Sequence, residues 1–187
     1  MINNEDLEVD DLTENLNKKK KIKSGSKGKR GERQLVHELN ARFADYFKLH
    51  PEIGQFSRSV GSGNRWGQNV IMSKNVANTY AGDITCPDKF KFVLESKNGY
   101  NDIDLCNCFT GKCTGLDDFL KQVSDDAARP TINRKPMLIW KKDRKESLAF
   151  IKEADILQKP DVYLSYNGWI GVNLQFILSF PDSFFFG

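Results

Sequence analysis

Residues 82–97 read Gly-Asp-Ile-Thr-Cys-Pro-Asp-Lys-Phe-Lys-Phe-Val-Leu-Glu-Ser-Lys, and most of what the chain reveals about fold and chemistry starts from this segment. Phe90, Phe92 and Leu94 recur at every second position, which is the period of a β-strand with one buried face. We therefore predict that residues 90–97 form a strand, that residues 81–85 form its hairpin partner, and that residues 86–89 form the turn between them.

Two carboxylates and a lysine come together in the predicted hairpin. Glu95 and Lys97 are two residues apart and project from the same face of the strand. A short turn would set Asp83 opposite Leu94 or Glu95. Magnesium is held by a few carboxylate oxygens and keeps several waters. We predict that Asp83, Glu95 and the backbone carbonyl of Ser96 are metal ligands, and that Lys97 orients water or stabilises charge on a phosphate.

This set of groups suits the hydrolysis of a phosphodiester bond. The reaction needs an activated water, neutralisation of a charged transition state and a stabilised leaving oxygen, and one or two divalent cations can supply all three. An acid followed by E-x-K is also a short pattern that occurs by chance among solvated strand charges. The elements around it therefore decide between the two interpretations.

The first of these elements is a predicted helix over residues 29–48. Its apolar residues follow the spacing of a stripe that faces the core: Leu35, Val36, Leu39, Phe43, Tyr46 and Phe47. Glu32 falls on the same inward face, where a carboxylate without a partner is unfavourable. Glu32 is either part of the acidic site or a first-turn carboxylate favoured by the helix dipole.

The remaining pattern predicts an α/β fold in which a central mixed sheet of four or five strands is flanked by helices. A short strand at 55–60 leads into a Gly-Ser-Gly loop at 61–67. A helix at 116–128 carries Gln122, and strands are predicted at 136–140 and 147–151. The last segments are predicted as a helix near 152–157 and strand-like runs at 162–166 and 169–178.

The N-terminal region differs in composition from the rest of the chain. Residues 1–16 carry six acids and no base, whereas residues 18–33 carry nine bases and one acid. We predict a disordered arm over 1–28, which either contacts DNA phosphates or serves as a solubilising tail. The nuclease domain is predicted over 29–187, with an inserted loop at 98–115 and a C-terminal extension from about 152.

Several classes of protein are disfavoured by the sequence. Both histidines, His37 and His50, fall in or just after the first predicted helix, which argues against HNH nucleases and Ser-His-Asp hydrolases. A phosphate-binding loop of the G-x-x-x-x-G-K-[ST] type is absent, which argues against ATP hydrolysis. The acidic N-terminus lacks the apolar stretch of a signal peptide, and we expect a cytoplasmic protein of a prokaryotic or phage-infected cell, without membrane association.

The four cysteines leave two interpretations open. Cys106, Cys108 and Cys113 form C-x-C-x4-C, and Cys86 lies in the predicted turn. A structural Zn²⁺ site could use all four, although such sites usually consist of two C-x2–4-C pairs. The spacing favours unpaired reduced thiols in a loop.

As an ordered set, these motifs resemble the archaeal-type Holliday junction resolvases, a branch of the PD-(D/E)XK nuclease superfamily. The resemblance covers about residues 27–151 and lies in four segments: residues 27–33 (Lys-Gly-Lys-Arg-Gly-Glu-Arg), residues 58–63 (Arg-Ser-Val-Gly-Ser-Gly), residues 82–84 (Gly-Asp-Ile) and residues 94–97 (Leu-Glu-Ser-Lys). The long loop before Gly82, the insertion at 98–115 and the tail after Ile151 depart from the family pattern.

The resemblance implies a restriction-endonuclease-like core for the predicted α/β fold, and a role for individual residues. Glu32, Asp83 and Glu95 would be acidic metal-site residues, and Lys97 the catalytic lysine. Ser62 would be an active-site or DNA-contacting hydroxyl, and Gln122 would support the site from the following helix. DNA contacts are expected from basic and polar side chains of the first two segments and of the loop residues that follow them, namely Lys27, Lys29, Arg30, Arg33, Arg58, Ser62, Asn64 and Arg65.

The resemblance also implies a cofactor and partners. Mg²⁺ is the expected metal, with Mn²⁺ as a substitute, and the expected partners are branched DNA and a second copy of the chain in a two-fold dimer. Two alternatives stay open: a nuclease of the same superfamily that cuts duplex or damaged DNA, and a non-catalytic DNA-binding protein with a nuclease-like fold.

Overall fold

The computed structural model describes residues 24–59, 82–129 and 132–187. Within these residues the strands are β1 Ser57–Arg58, β2 Ile84–Thr85, β3 Phe92–Asn98, β4 Lys135–Lys141, β5 Ser147–Lys152, β6 Leu164–Tyr166 and β7 Trp169–Asn173. Five of them form a mixed sheet in the order β3-β4-β5-β7-β6. β3 and β4 run parallel, and the other neighbouring strands of this sheet run antiparallel.

The α-helices of the described residues are α1 Ser24–Arg42, α2 Ala44–Leu49, α3 Thr114–Ala127, α4 Leu174–Leu178 and α5 Asp182–Phe185. Short 3₁₀ segments lie at Pro51–Ile53, Leu105–Thr110 and Glu153–Asp155. In the part of the chain that the structure describes, no helix has both the length and the apolar character needed to cross a membrane.

Two apolar layers cover the two faces of the five-stranded sheet. On one face, Leu35 and Leu39 of α1 share a core with Phe92 and Leu94 of β3. On the other face, the apolar residues of α3 share a core with Val93 of β3. Successive side chains of a strand point to opposite faces, so β3 contributes to both cores. The α/β fold with a central mixed sheet flanked by helices is confirmed.

The parallel pairing of β3 with β4 explains why α3 lies between them in sequence. Parallel neighbours cannot be joined by a tight turn and need a long crossover, usually a helix. Residues 99–134 form this connection, and α3 is its helix. The predicted inserted loop at 98–115 is the first part of the crossover and contains the 3₁₀ segment Leu105–Thr110.

The predicted hairpin between residues 81–85 and 90–97 is wrong. β2 pairs antiparallel with β1, and among the described residues the one bridge from this segment to β3 joins Gly82 to Leu94 in parallel orientation. Pro87 lacks an N–H group to continue a ladder, and the Asp88 N–H instead donates to the Ile53 carbonyl at 2.9 Å. The predicted proximity of Asp83 to Leu94 nevertheless holds, because the Asp83 N–H donates to the Leu94 carbonyl at 3.1 Å.

Other predicted boundaries shift at the ends of the chain. The first helix begins at Ser24, within the predicted arm, and ends at Arg42, and a separate helix follows it. Residues 1–23 lie outside the described residues. The predicted helix near 152–157 is a 3₁₀ turn, and the predicted strand run 169–178 ends at Asn173. The Asn173 side chain accepts a hydrogen bond from the Gln175 N–H at 2.8 Å. This bond caps the N-terminus of α4, which begins at Leu174.

The C-terminal segment is part of the core. Phe185 is 1 % exposed, and its ring meets the ring of Phe43 edge-to-face at 4.9 Å between centroids. Arg42 fastens the same segment to α1, because its guanidinium donates to the Phe180 carbonyl at 2.8 Å and pairs with Asp182 at 2.9 Å. With β6 and β7 in the sheet, the extension predicted from about residue 152 completes the sheet and its core.

Truncation of Phe185 tests this packing. We expect Phe185→Ala to lower the free energy of unfolding by about 3–5 kcal/mol, because the change removes a buried ring and leaves a cavity. Urea unfolding measures the difference. Phe109→Ala is the control, since Phe109 is 84 % exposed. Equal stability of the two variants would contradict the description of the tail as core.

Candidate active site

Polar and charged groups gather where β3 forms the edge of the five-stranded sheet. Glu95 and Lys97 of β3 lie on the same strand face as Val93, toward α3. Ser96 and Asn98 lie on the opposite face, toward α1, where a Cβ added to Gly31 would be 2.2 Å from the Asn98 side chain. The two helices therefore approach the same strand edge from opposite sides.

The side chains of Glu95, Lys97 and Gln122 form one hydrogen-bonded group. The Lys97 Nζ donates to the Glu95 Oε1 at 2.6 Å, and the Gln122 Nε2 donates to the same oxygen at 2.5 Å. The Gln122 Oε1 in turn accepts from the Lys97 Nζ at 2.9 Å. The amide of Gln122 therefore bridges the carboxylate and the ammonium and holds both in place. Sequence reasoning assigned Gln122 this supporting position on the helix after E-x-K.

Asp83 is attached to β3 through its backbone and its side chain. Its N–H donates to the Leu94 carbonyl at 3.1 Å, and its Oδ2 accepts from the Ser96 N–H at 3.1 Å. On its other side, the Asp83 carbonyl accepts from the Ser59 N–H at 3.0 Å. Glu95 and Asp83 thus belong to neighbouring segments, as predicted, although these segments are not a hairpin.

The backbone carbonyl of Ser96 points toward Asp83. In an extended strand the N–H and C=O groups of one residue face the same side. The Ser96 N–H bonds to the Asp83 carboxylate, so the Ser96 carbonyl faces away from β4 as well. This direction fits the predicted role of the carbonyl as a ligand.

Gly82 allows Asp83 to approach β3 this closely. Its φ angle is +79°, which favours glycine. A Cβ at this position would lie 2.4 Å from the Leu94 carbonyl oxygen, which is a backbone atom that cannot swing aside.

Glu32 lies in the middle of α1 rather than in its first turn, because the helix begins at Ser24. The interpretation of Glu32 as a carboxylate stabilised by the helix dipole therefore loses its basis. Glu32 is 8 % exposed, and its Oε2 is 2.7 Å from the Nε of Arg58. These two atoms form an ion pair, but they are not aligned as a hydrogen bond. Neither atom has a hydrogen-bond partner in the described residues.

The acidic groups of the site repel one another. Burial and then the charge of Asp83 raise the pKa of Glu95 to about 8, against the opposing effect of Lys97. Burial, followed by the charge of Asp83, also raises the pKa of Glu32, while Arg58 lowers it. Burial disfavours the charged form of Lys97, but the charge and hydrogen bond of Glu95 outweigh it and raise the pKa of the ammonium. The charge of Asp83 therefore acts on Glu32, Glu95 and Lys97.

Sequence reasoning missed Asp126 of α3. Asp126 is 9 % exposed and lies four residues after Gln122, one turn further along the same helix face. Its charge contributes to the raised pKa of Glu95. Burial, and among the nearby acids chiefly Asp83, raises the pKa of Asp126, while the ion pair with Arg129 lowers it. The four-residue spacing, which places Asp126 on the same helix face as Gln122, was the signal in the sequence that could have identified Asp126.

Apart from Arg58, which pairs with Glu32, the predicted DNA-contacting residues divide into three groups. Lys29, Arg30 and Arg33 are exposed on α1, and the charges of Lys29 and Arg33 act on Glu32. Lys27 lies in α1. The Gly-Ser-Gly loop, with the predictions for Ser62, Asn64 and Arg65, lies outside the described residues.

The four cysteines are not brought together. Cys86 belongs to the core on the α1 face of the sheet, and Cys108 and Cys113 belong to the core on the α3 face. Burial raises the pKa of Cys86 to about 12. Burial, with the neighbouring Cys113, raises the pKa of Cys108 to about 12 as well. The less favoured interpretation, a Zn²⁺ site that joins Cys86 to Cys106, Cys108 and Cys113, is wrong, because the sheet separates Cys86 from Cys108 and Cys113.

Asp83 and Glu95 fit a divalent cation such as Mg²⁺. Mg²⁺ is typically bound by one or two carboxylates and keeps several waters. Burial and then the charge of Asp83 raise the pKa of Glu95, and a bound cation would favour the charged form of both carboxylates. Among the described residues, no three His, Cys, Asp or Glu side chains are grouped closely enough to hold one ion. Glu32 therefore stays a predicted third member.

A family model described as "Phage putative PDDEXK endonuclease" matches residues 23–167. The matched range spans 145 of the 187 residues and includes α1, Asp83, all of β3 and α3. No curated protein and no solved structure gives a significant match to the chain.

A glycine substitution tests how the site is assembled. We expect Gly82→Ala to destabilise the protein by about 1–3 kcal/mol more than Gly168→Ala, because only the former drives a Cβ into a backbone carbonyl. Gly168 is a matched control, since its φ is +76° and a Cβ there has nothing within 4 Å. Urea unfolding of both variants measures the difference. Equal losses would mean that the close approach of Gly82 to β3 is not needed.

Proposed function

Because the chain belongs to the phage PDDEXK endonuclease family, we propose that it hydrolyses phosphodiester bonds of DNA with a divalent cation held by Asp83 and Glu95. The resemblance to the PD-(D/E)XK superfamily is thereby confirmed, while the match does not support the archaeal-type resolvase branch. The observation that carries the proposal is that Asp83 bonds to the backbone of β3 while Lys97, on the same strand, donates to the buried carboxylate of Glu95.

The proposed cation is Mg²⁺, with Mn²⁺ as a substitute. When bound, it would provide an activated water and offset the charge of the transition state and the leaving oxygen. Asp83, Glu95 and the Ser96 carbonyl are the proposed ligands. Glu32 is proposed as a further acidic residue of the metal site, on the α1 side.

Lys97 is the proposed catalytic lysine. Its Nζ is held by Glu95 and Gln122, so the ammonium is preorganised to orient water or to stabilise charge on the phosphate. The side chain is 14 % exposed, which shields this charge from water and strengthens its effect. Gln122 positions Lys97 rather than reacting itself.

The proposed DNA surface includes the N-terminal half of α1. Lys29, Arg30 and Arg33 are exposed on the helix that carries Glu32, and such cations bind phosphates with an affinity that falls as salt rises. Lys27 and the loop residues Ser62, Asn64 and Arg65 are proposed to extend this surface. Arg58 is proposed to exchange part of its ion pair with Glu32 for a DNA phosphate.

The kind of DNA that the protein cuts is a further part of the proposal. A four-way junction, cut by a two-fold dimer with one site per strand, is favoured by the Gly-Ser-Gly loop motif and by Glu32 at the site. The alternative is a nuclease of the same superfamily that acts on duplex or damaged DNA. The hydrogen-bonded set of Glu95, Lys97 and Gln122 disfavours the third possibility, a non-catalytic DNA-binding protein.

Cleavage assays separate these possibilities. A synthetic four-way junction and its linear duplex arms are incubated with the protein in Mg²⁺, in Mn²⁺ and in chelator. Paired, symmetric cuts of the junction alone support a resolvase, whereas equal cutting of the arms supports a general nuclease. Absence of cleavage with every cation would contradict the proposed function.

Substitutions in the same assay test the assigned roles. We expect Asp83→Asn and Lys97→Ala to lower the cleavage rate by about 100-fold or more and to retain DNA binding, because each removes a group that acts in the transition state. Lys159→Ala is a matched control, since Lys159 also pairs with a glutamate, Glu153. Full activity of Lys97→Ala would show that this lysine is not catalytic.

A further inference from the structure

An exposed aromatic residue stands beside the proposed catalytic lysine. Tyr100 is 44 % exposed and follows β3 by two residues. Its ring meets Phe119 of α3 edge-to-face, with 4.8 Å between centroids. The Lys97 Nζ lies 5.3 Å from the centroid of the same Phe119 ring. We refer to Tyr100 and Phe119 together as the aromatic ledge.

The backbone that carries Tyr100 is held on both sides. The Gly99 N–H donates to the Lys141 carbonyl at 3.0 Å, and the Asn101 N–H donates to the Gly99 carbonyl at 2.9 Å. The Asn101 side chain donates to the Asp143 carboxylate at 3.0 Å and accepts from the Asp143 N–H at 2.8 Å. Tyr100 is therefore displayed from a turn fixed to β4 and to the β4–β5 connection.

A fixed, exposed ring is suited to binding another flat ring. Stacking on it loses little conformational entropy, because the backbone and the Phe119 contact already restrict Tyr100. The hydrophobic core does not explain the position, since Tyr100 is exposed and Phe119 is only partly buried. The ligand that reaches a ring beside a phosphate-binding lysine is the nucleobase attached near that phosphate.

Stacking on an aromatic side chain is available to every base, because each base has a π-face. In a continuous duplex both faces of a base are already covered by its neighbours. A base can reach the aromatic ledge only if it is unpaired or is extruded at the expense of its stacking. The aromatic ledge therefore fits DNA with a displaced base next to the bond that is cut.

We propose that Tyr100, supported by Phe119, stacks on an unpaired nucleobase adjacent to the scissile phosphate, so that the substrate class is DNA with a non-duplex nucleotide at the cleavage site. This inference rests on the proposed function, since it identifies the substrate class of the same site. It assigns Tyr100 to substrate binding rather than to the chemical step.

A binding comparison tests the stacking. Two DNA duplexes share one strand, which carries 2-aminopurine at one position. In the first duplex this base is paired with thymine, and in the second it forms a single-base bulge. Anisotropy of a labelled strand measures the affinity of the full chain for each duplex in the presence of chelator, and 2-aminopurine fluorescence reports stacking. We expect the bulged DNA to bind about 5- to 100-fold more tightly, with quenching of the base, as one stacking contact implies.

Three variants assign the effect to the ring. Tyr100→Ala is expected to abolish the preference and the quenching, whereas Tyr100→Phe is expected to retain both. Tyr163→Ala is the matched control, since Tyr163 is 43 % exposed, has its own contact with Lys159 and precedes β6 at the opposite edge of the sheet. Thermal unfolding checks that all variants are folded.

The outcomes distinguish this inference from the proposed function. Equal affinity for both duplexes, or a preference retained by Tyr100→Ala, would overturn the inference. If wild-type protein cleaves bulged and paired DNA equally in Mg²⁺ and Tyr100→Ala changes neither rate, the nuclease function stands and the inference fails. If wild-type protein cleaves neither but shows the binding preference, the stacking of Tyr100 on an unpaired base stands and the proposed function fails.

Discussion

The candidate site depends on the hydrogen bonds that attach Asp83 to the free edge of β3. The edge of a sheet presents unpaired N–H and C=O groups, and here Leu94 and Ser96 use theirs on Asp83. This attachment places a carboxylate beside Glu95 without a continuous strand ladder. A strand that covered the whole edge would have used the same backbone groups for pairing and left no room for a metal or a phosphate.

The charges of the site follow from the same arrangement. Glu95 is buried next to a second carboxylate, and its pKa is raised first by burial and then by the charge of Asp83. Lys97 and Gln122 stabilise the charged form of Glu95 by donating to one of its carboxylate oxygens, and Arg58 stabilises the charged form of Glu32 through an ion pair. These contacts hold the cluster together in the folded protein. Because Lys97 is fixed by the same contacts, the proposed metal ligand Glu95 and the lysine are positioned together.

Much of this site was predictable, and the failures have identifiable causes. The alternation of residues 90–97 is enough to place Glu95 and Lys97 on one face of a strand, and the helical stripe around Leu35 is enough to turn Glu32 inward. The hairpin was predicted wrongly because a short turn between two apolar segments suggests local pairing, whereas β2 pairs with β1 from much earlier in the chain. The strand-like runs after residue 152 were predicted, but their place in the central sheet and the packing of the C-terminal aromatic side chains in its core are long-range relations that periodicity in short segments does not reveal.

The sequence by itself determined the residue types and their local periodicity: an acid, then E-x-K on a strand, a helix with an inward carboxylate, and a later helix with a glutamine. These features depend on neighbours within a few residues, and backbone geometry alone converts them into faces of strands and helices. Only the tertiary structure decided that Gln122 bridges Glu95 and Lys97, and that Asp126 and Phe119 lie near the same two side chains. It also decided that Cys86 lies across the sheet from Cys108 and Cys113. Those relations depend on the crossover that returns α3 over β3, and long-range packing sets the position of that crossover, because no local pattern records which strand edge a distant helix will cover.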